Sequence, residues 1–125
     1  MKLEFVTVDA FTECAFGGNP AAVAFETADH SGLDDAVRQK IAAEMNLSET
    51  AFVRAVDADK GVYNLRWFTP TVEVNLCGHA TLATAHALFA ERQVNVPQLR
   101  FQTLSGELIV QRLDDGQLQM TFPLV

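Results

Sequence analysis

Three short segments hold residue types suited to moving a proton. The first is Val74-Asn75-Leu76-Cys77-Gly78-His79-Ala80-Thr81, at the head of a stretch without a charge. A helix starting there presents backbone N–H groups without intrahelical partners, and its macrodipole adds partial positive charge. Gly78 lets a ligand approach the backbone closely, so such a helix start, facing a cleft, suits a carboxylate or enolate oxygen. The same dipole favours a thiolate at Cys77. The plainer alternative is a Cys and a Gly packed for shape. His79 can exchange a proton or hydrogen-bond a substrate.

The second segment is Met45-Asn46-Leu47-Ser48-Glu49-Thr50. Glu49 sits between the end of a helix and the apolar stretch Ala51-Phe52-Val53. A carboxylate drawn into apolar surroundings suits a general base near neutral pH, whereas the same residue at a strand start can simply be solvated. The third is Phe16-Gly17-Gly18-Asn19-Pro20, a polar contact loop in which Asn19 offers its amide. It lacks the Lys and Ser/Thr of a phosphate-binding loop, so nucleotide binding is not indicated. His86 lies seven residues beyond His79, about 10 Å along a helix axis, which is too far for a shared metal. No other spacing of Cys, His or carboxylate completes a ligand set, so neither a metal nor a cofactor is expected. His86 and His30 read as an ordinary helix and an ordinary loop histidine, and Glu4 and Glu73 as surface carboxylates.

These segments need a scaffold, and the composition supplies one. The 125 residues are 49% apolar and 20% charged, ordinary for a single globular domain. Surface scaling gives about 6,600 Å² folded against roughly 19,900 Å² unfolded, enough for one core. Sixteen acidic residues against nine basic give a formal charge of −7, and no basic cluster invites nucleic acid. No apolar run approaches the length of a membrane span, so no membrane partner is expected. Glu4 and Asp9 break the stretch a signal peptide would need. Two cysteines, Cys14 and Cys77, are too few for a disulfide framework and fit a reducing compartment, so the expected address is the cytoplasm.

Alternation predicts strands over Lys2–Asp9 (Leu3 and Phe5 inward, with Val6 and Val8 shifting the face), Ala21–Phe25, Thr50–Val56, Val62–Phe68, Leu99–Thr103, Glu107–Arg112 and Gln117–Phe122. Leu33, Val37, Ile41 and Met45 form one face of a helix over Leu33–Met45. Ser31 with Asp34 stands at its start, and Asn46 can take the left-handed conformation at its end. A second helix over Gly78–Ala90 carries no charge on any face and must be buried all round. Antiparallel strands that must cover such a helix predict an α+β half-barrel, a curved, mostly antiparallel sheet wrapped around a central helix.

Six ordered blocks extend the reading: Val8–Thr12, Phe16–Val23, Met45–Phe52, Arg66–Pro70, Glu73-Val74 and Leu76–Thr81. Together they resemble the PhzF family of phenazine-biosynthesis-like isomerases, in the diaminopimelate-epimerase superfamily. The resemblance implies two similar lobes with the active site between them, each lobe's central helix aiming its start at the substrate carboxylate. By that resemblance Glu49 is the acid/base of the Asn-Leu-Ser-Glu motif, with Ser48 beside the substrate. Asn19, Gly78, His79 and Thr81 bind and position it. Cys77 stands where related epimerases carry a catalytic thiol, although PhzF itself lacks a cysteine there. Residues 1–125 match one lobe, the N-terminal one, of a family roughly twice this long. The expectation is a cofactor-free isomerase or epimerase lobe acting on a small carboxylate-bearing substrate, completed by a second lobe or by a homodimer. The alternative is a binding or self-associating module without catalysis.

Overall fold

The computed structural model describes residues 3–10, 19–26, 33–75 and 77–121. The elements run β1 (Glu4–Ala10), β2 (Asn19–Glu26), α1 (Asp35–Met45), β3 (Glu49–Asp57), β4 (Val62–Phe68), β5 (Glu73–Val74), α2 (Gly78–Ala90), β6 (Gln98–Thr103), β7 (Gly106–Arg112) and β8 (Leu118–Thr121). A single curled sheet has the order β1-β2-β3-β4-β6-β7-β8, with the short β5 added to β4. Five pairings are antiparallel; β2–β3 and β4–β6 are parallel. Each parallel pair needs a crossover, and α1 and α2 supply one each.

Period-two alternation sends neighbouring residues of a strand to opposite faces. Ala21 and Val23 of β2, Ala51 and Val53 of β3, and Tyr63, Leu65 and Trp67 of β4 join α2 in the main core. Ala24, Phe52 and Phe68 point the other way and pack against Ala42 of α1. Phe52 and Phe68 meet edge to face with centroids 5.4 Å apart, an arrangement contributing about 0.5–1.5 kcal/mol beyond burial. On this second face Arg66 grips Glu73 with two bonds of 2.6 and 2.7 Å and also reaches Asp35, tying β4 and β5 to α1. Glu73 is therefore a structural ion-pair partner, where the sequence suggested a free surface carboxylate.

Both helices form where their sequences direct. Asp34 caps α1, its side chain accepting from the Val37 N–H at 2.9 Å, and Asn46 ends it with φ 52°. In α2, Ala80, Thr81, Ala83, Thr84, Ala85, Ala87 and Leu88 are buried, while His86 and Ala90 are exposed. Enclosure therefore covers most of the circumference, and small residues let the sheet close on it.

The strand expectations hold with shifted ends, and two details change. In β1 the inward residues are Val6 and Val8, packed on the α2 core; Phe5 is 37% exposed and Leu3 joins the α1-side cluster. β1 lies at the sheet edge, and α2 covers only one of its faces, so the aliphatic pair takes that face. Residues 19 and 20, expected in a loop, begin β2, where Asn19 pairs with Ala10. The Gly17-Gly18 turn, Cys14, His30 and Ser31 lie outside the described residues.

Two neighbouring lysine substitutions test the enclosure of α2. Ala85→Lys puts an unpaired charge at a position of zero exposure and is expected to cost at least about 3 kcal/mol. His86→Lys, one residue on and exposed, should stay within about 0.5 kcal/mol of the parent. Urea unfolding midpoints decide it, and similar losses for both would refute a one-sided helix.

Candidate active site

Glu49 owes its position to the end of α1. Asn46 turns the chain through the left-handed region while its N–H bonds the Ala42 carbonyl at 3.1 Å, and three residues later β3 begins. Alternation then puts Glu49 on the same face as Ala51 and Val53, the face that holds α2. Cys77 is the residue before α2, and His79 is the second residue of that helix. The first helical bond runs from the Thr81 N–H to the Cys77 carbonyl at 3.1 Å, so the earlier N–H groups stand outside the helix ladder.

The curl of the sheet brings these two chain segments into contact. Glu49 Oε2 lies 2.7 Å from His79 Nε2, and Cys77 Sγ lies 3.7 Å from His79 Nδ1. A carboxylate only accepts, so Nε2 donates to Glu49, while the Cys77 thiol contacts the ring at Nδ1 and also hydrogen-bonds the Glu49 carboxylate. The result is a compact thiol, imidazole and carboxylate cluster, with Glu49 and His79 side chains 16% and 18% exposed. The ligand-type atoms of all three residues lie within 4.8 Å of one another. This corrects the spacing argument, which weighed His79 with His86 and could not see Glu49 arriving from thirty residues away.

The thiol is not activated at rest. Burial pushes Cys77 up from an ordinary 9.0 to about 11, and the Glu49 charge adds to the rise. The backbone N–H groups of Ala80 and His79 pull the other way but do not prevail. The expectation that the helix dipole would leave a favoured thiolate is thereby reversed: at 8% exposure, desolvation outweighs the helix end.

Other expected residues take varied places. Gly78 sits between Cys77 and His79 at the helix start, and Ser48 is exposed beside Glu49. Thr81 does not lie open to a ligand. It is fully buried, and its hydroxyl donates to the Cys77 carbonyl at 2.8 Å, fixing the helix start from inside. For Asn19 the backbone alone is described, at the first position of β2. A cavity of about 280 Å³ opens elsewhere, on the α1 side of the sheet, between Arg38, Arg54, Arg66 and Glu26. It shares no residue with the Glu49–His79–Cys77 cluster, and its arginines come from three separate elements, so no local run of residues marks it.

A family model described as "Phenazine biosynthesis-like protein" matches residues 8–124. The chain belongs to the phenazine biosynthesis-like family. An uncharacterized isomerase of Pseudomonas aeruginosa is 55% identical over 98% of this chain and 45% of its own length. A phenazine biosynthesis-like domain-containing protein of Pongo abelii is 50% identical over 99% of this chain and 43% of its own. The crystal structure of a PhzF family protein from Enterococcus faecalis superposes with a TM-score of 0.79 at 47% identity, covering 91% of this chain and 42% of that one. The chain thus spans less than half the length of these relatives. The Pseudomonas relative is named an isomerase, and the half-barrel around α2 matches a lobe of the PhzF family structure.

Alkylation reads the state of Cys77 directly. In a Cys14→Ser background, iodoacetamide labelling of folded chain is expected to stay slow through pH 8 and to accelerate toward pH 11. The raised thiol also means that the folded state holds its proton longer than the unfolded one. Stability from this group is therefore present below about pH 9 and declines as pH climbs toward 11. A labelling midpoint at or below 9 would show that the helix end, and not burial, governs the thiol.

Proposed function

We propose that this lobe supplies the proton-transfer half of an isomerase or epimerase acting on a small carboxylate-bearing substrate. The observation that carries the reading is the 2.7 Å bond between Glu49 and His79 at the start of α2, with Cys77 on the ring's other nitrogen. Glu49 is the acid/base that takes a proton from substrate carbon and returns it. His79 orients that carboxylate and accepts the developing charge. Gly78, with Ser48 and Asn19 at the margins, receives the substrate carboxylate against backbone N–H groups. Cys77, held as a thiol against the Glu49 carboxylate, is a second proton-bearing group on the same wall of the site.

No cofactor is needed for this step, because a carboxylate and an imidazole in hydrogen-bond contact pass a proton between themselves and a bound substrate. The reading further places the substrate between two lobes, the second provided by a companion lobe or by a second copy of the chain across a two-fold axis. Support comes from the chain's coverage of 45% of its Pseudomonas relative. Self-association without catalysis is a second reading, favoured by Val72 and Leu104, large apolar residues 55% and 59% exposed.

The test joins this lobe to the second lobe of the 55% identical Pseudomonas isomerase and follows deuterium from solvent into small carboxylic acids. Glu49→Gln, which keeps the shape and removes the base, is expected to slow incorporation by about 10²- to 10⁴-fold. Equal incorporation by Glu49→Gln and parent would sink the assignment. Light scattering on the 125-residue chain separates the readings of its partner: a dimer supports pairing of copies, a monomer a companion lobe.

A further inference from the structure

We propose that the cavity on the α1 side of the sheet binds a small organic monocarboxylate, with Arg54 as its anchor. Strand register lays a polar row across the cavity floor. Glu26 of β2 stands opposite Arg54 of β3, Arg54 opposite Asn64 of β4, and Asn64 opposite Gln102 of β6. Alternation turns Arg54 to the same side as Phe52, the face that packs on α1. All four members of the row line the cavity, with Arg38 and Arg66 beside them. None of these residues belongs to the Glu49–His79–Cys77 cluster, so the two sites are separate.

By register, Glu26 is the natural partner of Arg54. Arg38 of α1 takes it instead: its Nε donates to one Glu26 oxygen at 2.9 Å and its Nη2 to the other at 3.0 Å, and the Glu26 side chain is only 4% exposed. Arg66 is matched as well, by Glu73 at 2.6 and 2.7 Å and by Asp35 at 2.9 Å. Arg54 is the guanidinium left over, with neither an ion pair nor a hydrogen bond to any described residue. The side-chain amides of Asn64 and Gln102 are likewise unbonded among the described residues. One guanidinium and two amides on adjacent strands, about 4.8 Å apart, therefore offer their donors to one planar anion, and the fork of an arginine fits a carboxylate with two parallel bonds. The charge left over is a single one, and the fixed carboxylate of Glu26 closes the row on the other side, so one negative charge is favoured over the two of a phosphate. Leu104, 59% exposed at the rim, gives the ligand's carbon skeleton an apolar contact. The volume of about 280 Å³ lies at the small end of ligand pockets, which keeps that skeleton short.

Proton–nitrogen NMR spectra of the 125-residue chain test the site, with benzoate as the probe and uncharged benzamide as the control at constant ionic strength. Benzoate is expected to move the Arg54 Nε–H signal and the Asn64 and Gln102 amide signals along one saturating curve, and benzamide to leave them in place. Arg54→Gln should weaken binding by about 10- to 100-fold. Asn64→Asp sets a carboxylate opposite Arg54 on the next strand, satisfies the guanidinium internally and should exclude benzoate. Two variants thus reach the same loss by different routes, and circular dichroism confirms that each is folded. Glu49→Gln, at the other site, should leave benzoate affinity unchanged. No saturating shift, an equal response to benzamide, affinity unchanged in Arg54→Gln or Asn64→Asp, or affinity lost in Glu49→Gln would each overturn the site. Phenyl phosphate binding more than about 10-fold tighter than benzoate would overturn the single-charge assignment. These readings involve no turnover, so the site stands or falls apart from the proton-transfer function.

Discussion

The enclosure of α2 governs the molecule. Thirteen residues without a charged side chain cannot face water on many sides, and the sheet curls because covering such a helix demands it. Alanines at 80, 83, 85 and 87 set how tightly the strands approach, and the main core is built on that contact. An enclosed helix still has two ends. The one that begins at Cys77 comes up against the first residue of β3, and a polar cluster forms at the rim of an otherwise apolar interior. Architecture and chemistry thus share one cause: the helix must be buried, and its start is where burial stops.

That position at the boundary explains the state of each group. Cys77 is on the buried side, and loss of solvent keeps its proton on despite the helix dipole. Glu49 and His79 are partly exposed and satisfy each other through a short bond. The imidazole is thereby held against the carboxylate, with the thiol in contact with both. Thr81 contributes from behind, its buried hydroxyl clamping the Cys77 carbonyl so that the thiol cannot swing away with a fraying helix end.

Much of the fold was legible because local signals were strong. Gly78–Ala90 and Val62–Phe68 match the expected bounds, Asn46 takes the left-handed cap, and the half-barrel follows from the need to cover α2. Glu49, Cys77 and His79 were each singled out from residue type and setting. Their assembly was not readable, since thirty residues, holding the β3–β4 hairpin and β5, separate Glu49 from His79, and spacing arguments see only neighbours. The sign of the thiol shift failed for a related reason: the dipole is visible in a helix start, whereas desolvation depends on what packs over it. The reversed face of β1 and the commitment of Thr81 to backbone also depend on tertiary cover. The cavity among Arg38, Arg54 and Arg66 draws one arginine from each of α1, β3 and β4 and leaves no linear trace.

The strand order carries a consequence for how the lobe comes together. Pairings β1–β2, β3–β4, β6–β7 and β7–β8 join strands near in sequence and close small loops, so they form early at little entropic cost. The two parallel seams, β2–β3 and β4–β6, wait for α1 and α2 to dock. Glu49 stands at the exit of the first crossover, and Cys77 with His79 inside the second. A chain that has made every hairpin but neither seam has native-like strands and no Glu49–His79–Cys77 cluster at all. The Glu49 carboxylate therefore reaches Cys77 and His79 only once the sheet has closed around α2, and their meeting reports that the lobe is complete.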